Sequence, residues 1–362
     1  MRLIIDSHLD LAWNALSWNR DITRPLAEIN SYESGMTAKA RGRATTSFPQ
    51  MRRGGVAVCL ATVLARAKPE MRPEAGLPRT SPDFVHADIA YASAQGQLAY
   101  YRLLEARGEL RMLHTAADLE QHWRQWQGNG DRRRLPIGAI LAMEGADPIV
   151  SPAQAEAWFH LGLRSVGLAH YGKSRYAVGT GDRGSLTNEG RQLLAELERL
   201  GMILDVTHLS EPSFFEALDG FGGAVMASHN NCRALVPGDR QFSDQQIKLL
   251  IQRGAVIGVA CDAWMLHPNW EIGKTPREVV RLDAVVDHLD HICQLAGNCR
   301  HAAIGSDLDG GYGTEQTPLG LDSIADLQAL GEMLSRRGYG DADIDAIFHG
   351  NWLTFFLKHL AR

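Results

Sequence analysis

The chain has 362 residues, 45% of them hydrophobic and 22% charged, with a formal net charge of −5. That is the composition of a globular protein with a large buried core, and its slight acidity gives nucleic acid or an anionic membrane surface no general attraction. No apolar stretch approaches the roughly 20 residues of a membrane helix, so neither nucleic acid nor membrane is expected as a partner.

In chain order, a first apolar strand is expected at 3–6. The segment at about 14–54 is long and mixed and should be an excursion over the mouth of the fold. A second strand follows over 56–64, then a loop over 66–82 rich in Pro, Arg and Glu, and helices at about 83–107 and 116–127. Arg132-Arg133-Arg134, after Gly128-Asn129-Gly130-Asp131, is expected to be a solvated loop. Strands at 137–143, 165–169, 203–207, 224–228, 255–260 and 302–306 then alternate with helices at about 152–161, 187–200, 211–219, 243–253 and 276–296. Ser210 before Glu211-Pro212 and Ser243 before Asp244 are helix-start signals. Three helical segments, 321–337, 341–348 and 351–359, end the chain.

Most of the eight strands are continuously apolar, as strands buried on both faces should be. Strands alternating with helices imply parallel βαβ units, and eight of them favour a closed barrel. The expectation is a single (β/α)8 TIM-type barrel domain over 1–362 with extra C-terminal helices. No GxGxxG follows the first strand, which excludes a dinucleotide-binding version. Cys59, Cys232, Cys261, Cys293 and Cys299 show no CxxC spacing and are expected to be free thiols. Met1-Arg2-Leu3-Ile4-Ile5-Asp6 runs into the first strand without an apolar leader and cleavage site, so a cytoplasmic location is expected.

In such a barrel the chemistry gathers at the C-terminal ends of the strands. His8 and Asp10 follow the first strand as His-x-Asp, and alternate residues point to one face. Glu144 follows the third strand in Met143-Glu144-Gly145, His170 the fourth, His208 the fifth, His229 the sixth and Asp307 the eighth. Taken singly, a histidine at a strand end more often packs or serves a loop. Six strand ends out of eight presenting His, Asp or Glu is a register that chance does not supply, and imidazole with carboxylate suits a first-row divalent metal. The other histidines lie on helices or in connecting segments and are given no chemistry. A single catalytic zinc takes three protein ligands. Five candidates, His8, Asp10, Glu144, His208 and His229, are better matched to two cations roughly 3.5–4 Å apart. His8 and Asp10 would serve one, His208 and His229 the other, with Glu144 between.

At these residues the chain resembles the membrane (renal) dipeptidase family of metallopeptidases, within the amidohydrolase-like barrels. The matching pieces are Asp6-Ser7-His8-Leu9-Asp10-Leu11, Met143-Glu144-Gly145-Ala146, Asp205-Val206-Thr207-His208-Leu209-Ser210 and Ala227-Ser228-His229-Asn230. Asp287-His288-Leu289-Asp290-His291-Ile292 also matches, but its helical position assigns it packing and salt-bridge roles. The resemblance, over about residues 3–357, implies two zinc ions bridged by Glu144 and hydrolysis of dipeptides as small-molecule substrates. It makes His170 a substrate-binding and catalytic residue, Arg240 the receiver of the substrate carboxylate, and Asp307 the proton-handling catalytic residue. Without it, Arg240 after Pro237-Gly238-Asp239 would be a solvated loop residue, and Asp309 would compete with Asp307.

The expected reaction is attack on the peptide carbonyl by a hydroxide shared between the two cations, made available near neutral pH by their Lewis acidity. Two departures bear on the substrate. Leu9 stands where the family has Asn, and Ala260-Cys261-Asp262-Ala263-Trp264 stands where the renal enzyme has an Asn-Phe-Tyr segment. The alternatives are hydrolysis of an N-acyl amino acid, a lactone or a phosphoester on the same metals, and a non-catalytic metal-binding barrel. Manganese, iron or cobalt would suit the same ligands, and the sequence is compatible with a homo-oligomer.

Overall fold

Apolar runs that cannot face water on either side form the centre of the molecule. The computed structural model describes residues 1–68, 81–128 and 130–360. Its strands are β1 (Ile4–Leu9), β2 (Val56–Val63), β3 (Arg66–Ala67), β4 (Asp83–Phe84), β5 (Leu110–Met112), β6 (Ile137–Met143), β7 (Leu163–Gly167), β8 (Ile203–Asp205), β9 (Val225–Met226), β10 (Ile257–Val259) and β11 (Ala302–Ile304). Every residue of β1, β2, β6 and β7 is buried, as the apolar runs require. β1, β2, β6, β7, β8 and β9 pair in that order, all parallel, with β5 on the side of β6.

A single bridge from Ala227 to Ile257 carries the sheet on to the parallel pair β10–β11. Between β11 and β1 side chains replace the ladder: Ser306 N and Oγ donate to the Asp6 carboxylate at 2.9 and 2.5 Å, and Ser7 Oγ donates to the Ile304 carbonyl at 3.1 Å. A β-carbon on Gly305 would lie 1.9 Å, and one on Gly258 2.1 Å, from the Ser228 carbonyl, so both positions must stay bare for the barrel to close. The result is a (β/α)8 barrel with helices outside it.

The helices begin where the chain supplies a cap. Ser210 accepts from Ser213 N, while Ser243 with Gln246 and Thr115 with Asp118 form reciprocal capping boxes. Helices Ala116–Gln127 and Asn351–His359 have the expected bounds. The 14–54 excursion holds helices Leu11–Trp18, Leu26–Tyr32 and Phe48–Gly54. The helix before β11 begins at Asp283 instead of about 276, because Arg277 is tied to the carbonyls of Thr317, Pro318 and Leu321. Residues 341–359 run on through a wide π-type turn at Ala346–Gly350, where His349 Nδ1 meets the Leu3 carbonyl at 3.1 Å.

Most of the 66–82 loop lies outside the described residues, but its ends pair as β3 and β4. Arg132–Arg134 is one exposed 3-10 turn with Arg133 on Asp131. All five cysteines are free, four of them buried. Among the described residues no helix is long and apolar enough to cross a membrane.

Candidate metal centre

The strand ends converge on one cavity of about 230 Å³, lined by Asp10, Arg66, Glu144, His170, His208, His229, Arg240, Asp262 and Asp307 among others. His8 is buried beside these residues, with Nε2 at 3.9 Å from Asp10 Oδ1, 3.6 Å from Glu144 Oε2 and 3.8 Å from Asp307 Oδ1. The other oxygen of Glu144 lies 3.3 Å from Nε2 of both His208 and His229. All eight site residues singled out in the sequence therefore meet around one carboxylate or line the same cavity.

Local structure aims each group. Gly145, at φ +82°, takes a conformation that L side chains resist and lets the chain turn immediately after Glu144. His208 (φ 67°) and Asp307 (φ 56°) take the same left-handed region without that freedom, at a cost of roughly 1–3 kcal/mol each. Asp205 accepts from Thr207 N and Oγ1 and from Ser228 N, binding the ends of β8 and β9 together just below the two histidines. The Thr62 hydroxyl donates to Asp10.

The donor set fits a divalent cation. His8, Asp10, Glu144, His208 and His229 are each 8% exposed or less, and the buried Nε2 of His8 has no hydrogen-bond partner among the described residues. Thr180 Oγ1 donates to the His208 carbonyl at 3.1 Å, so it accepts from His208 Nδ1 at 3.2 Å. The Nε2 lone pair of His208 is then turned toward the Glu144 oxygen at 3.3 Å. Two acceptors at that separation repel unless a cation lies between them. The spacing is also that of two atoms bound to one ion at about 2.0–2.1 Å in tetrahedral geometry. Among the described residues three sets of side chains bring their ligand atoms within 4.8 Å of one another: His8, Glu144 and His229; His8, Asp10 and Asp307; and Glu144, His170 and His208.

The electrostatics agree. Burial alone would lower the His8 imidazole, yet Glu144, Asp10 and Asp307 outweigh it and push it up to about 10. Burial, with Glu144 beside it, pushes Asp10 up to about 6. Burial likewise lifts Asp307 well above the usual carboxylate range, with Glu144 and Asp10 adding to it against His8. Asp10, Glu144 and Asp307 thus crowd their carboxylates around one buried imidazole, a repulsion that a bound cation would relieve.

Arg240 is buried, with Nη1 on Asn230 Oδ1 and Nη2 on the His229 carbonyl, both at 2.7 Å. A guanidinium has five N–H donors, so it keeps others for a ligand in the cavity it lines. Asp309 has no access to that chemistry: its carboxylate is taken by Thr45 N and Oγ1, Thr46 N and the nearby Arg20. His288 accepts from Cys232 N, Asp287 pairs with Arg337 and His291 with Asp244, so the Asp287–Ile292 string is structural.

The two strand ends without a His, Asp or Glu in the sequence reading complete the ring. Arg66 follows β2 and Asp262 follows β10, and both line the cavity. Their position past a strand end was the one available signal. Trp13, Leu64, Tyr171, Trp264 and Met265 supply its apolar wall.

The family model for membrane dipeptidase (peptidase family M19) matches residues 2–359. An uncharacterized protein in the pqqA 5' region of Klebsiella pneumoniae is 29% identical over 271 residues, which is 71% of this chain and 92% of that protein. The dipeptidase aclJ of Aspergillus oryzae is 28% identical over 62% of this chain, but the match spans only 53%, about half, of its own length. The crystal structure of a metallo peptidase from Rhodobacter sphaeroides, liganded with a phosphinate mimic of the dipeptide L-Ala-D-Ala, superposes with a TM-score of 0.77. It covers 99% of both chains at 24% identity, a likeness that establishes the fold.

Proposed function

Because the chain belongs to the membrane dipeptidase family, we propose that it is a dipeptidase that works with two divalent metal ions, zinc by the family's expectation. The observation that carries this reading is the division of Glu144: Oε2 faces His8, while Oε1 faces His208 and His229. One carboxylate oxygen for each half of the cradle is what a shared ligand requires. His8 and Asp10 would hold one ion, His208 and His229 the other. When bound, the pair supplies a water acidic enough to ionise near neutral pH and a Lewis acid for the carbonyl.

The remaining steps belong to the chain. Arg240, held by Asn230 and the His229 carbonyl, presents a planar fork matched to the C-terminal carboxylate of a dipeptide. His170 stands beside Glu144 Oε1 at 3.7 Å, on the side of the cavity where it can donate to the carbonyl oxygen as charge develops. Asp307, 3.8 Å from His8 Nε2, takes up the proton of the attacking water and returns it to the leaving amine. A cavity of about 230 Å³ suits a substrate of two residues, and the dipeptide mimic in the Rhodobacter sphaeroides neighbour supports that class.

The test is a panel of L-Xaa-L-Xaa and L-Xaa-D-Xaa dipeptides beside N-acyl amino acids, lactones and phosphoesters. Turnover of dipeptides above the rest is expected. Turnover of N-acyl amino acids with none of dipeptides would overturn the substrate class.

A further inference from the structure

Arg66 projects from the strand end after β2 into the cavity wall and is held from two sides. Its Nη2 donates to the Asp83 carboxylate at 2.9 Å, and Nε stands in ion-pair contact with the same carboxylate at 2.6 Å. The next backbone N–H, of Ala67, donates to Asp147 Oδ2 at 3.1 Å. The remaining arm, Nη1, lies 2.7 Å from Nδ1 of His170. An arginine side chain has donors only and stays protonated, so this contact has one sense: Arg66 donates and His170 Nδ1 accepts. The single proton of the imidazole must then sit on Nε2, which faces Glu144 Oε1 at 3.7 Å.

We infer that Arg66, oriented by Asp83, is the positioning residue that makes His170 an Nε2–H donor to the substrate and keeps it out of the metal-ligand set. Spacing alone does not decide this, because Glu144, His170 and His208 are close enough to share an ion. A ligating Nε2 gives up its proton, which would move to Nδ1 and meet the Arg66 N–H donor to donor. Arg66 removes that possibility and leaves five ligands instead of six. Its cation behind the ring also polarises the Nε2–H bond toward the carbonyl oxygen. The target of that donor rests on the dipeptidase reading; the tautomer does not.

The experiment is nitrogen NMR of 15N-histidine-labelled, zinc-loaded full-length protein, with His170→Asn used to assign the ring. Wild type should show His170 in the Nε2–H form. Arg66→Met should lose that fixed tautomer, and Arg66→Lys, which can still donate to Nδ1, should recover it. Turnover of the best dipeptide should fall in kcat by about 10–100-fold in Arg66→Met with KM nearly unchanged, and recover in part in Arg66→Lys. His170→Asn should retain the wild-type zinc content. An Nδ1–H form in wild type, an unchanged tautomer in Arg66→Met, or loss of zinc in His170→Asn would overturn the inference. Absence of dipeptide turnover in wild type would overturn the functional reading, while the tautomer pattern would still decide the role of Arg66.

Discussion

A β-carbon placed on Gly310 would lie 1.9 Å from Oδ1 of Asp307. The carboxylate given the proton-handling role therefore rests in space that any side chain at position 310 would take from it. Gly310→Ala must displace Asp307 Oδ1, the atom that stands 3.8 Å from His8 Nε2, so kcat on dipeptides should fall at least about tenfold while bound metal and unfolding midpoint change little. Turnover equal to wild type would mean that the aim of Asp307 is unimportant.

Asp307→Asn tests the same group without moving it. The amide keeps the shape and loses the base, so metal content should persist and kcat should drop by roughly 10²–10⁴-fold, the usual worth of a positioned acid–base group. Metal analysis alongside initial rates separates this from a lost ligand, since His8, Asp10 and Asp307 also form a possible cation group.

Asp309, two residues on, should behave in the opposite way. It fastens Thr45 and Thr46 to the β11 loop and faces Arg20, which is itself buried against Glu33 at 2.8 Å. Asp309→Ala leaves part of a buried charge cluster unpaired and should cost about 3 kcal/mol in urea unfolding. An unchanged midpoint would show that this clamp contributes nothing.

Two packing histidines set an acid limit. Burial pushes His122 down to about 4 and His288 down to about 3. Because both folded values lie below the unfolded value of about 6.5, the unfolded chain takes up protons first as pH falls. Their stabilising effect is complete above pH 6.5 and is lost below it, by roughly 3 kcal/mol per histidine at pH 4. Urea unfolding from pH 7 to 4.5 should fall steeply in wild type and less steeply in His122→Gln. Equal slopes would contradict the burial effect.

The barrel was legible because its parallel strands are buried on both faces and stand out as apolar runs, and because each cradle residue lies within a few positions of such a run. β5 was not, since Leu110–Met112 is three residues long and pairs only with the first part of β6. The helices of the 14–54 excursion owe their order to tertiary contacts such as Arg20 with Glu33 and Thr45 with Asp309, which no local periodicity encodes. Local sequence alone made Arg240 a solvated residue beside its Pro-Gly turn, and only the family resemblance made it a substrate ligand; it is buried, hydrogen-bonded to Asn230 and the His229 carbonyl. Arg66 carried no motif at all. Its partner His170 is 104 residues away, and only the folded loops bring the two together.

In the proposed centre Glu144 gives one oxygen to each of two ions. Elemental analysis of purified wild type and Glu144→Ala, with unfolding curves to confirm that both are folded, tests it most directly. Two equivalents of divalent metal are expected in wild type and at most one in the variant. Two equivalents retained by folded Glu144→Ala would contradict it.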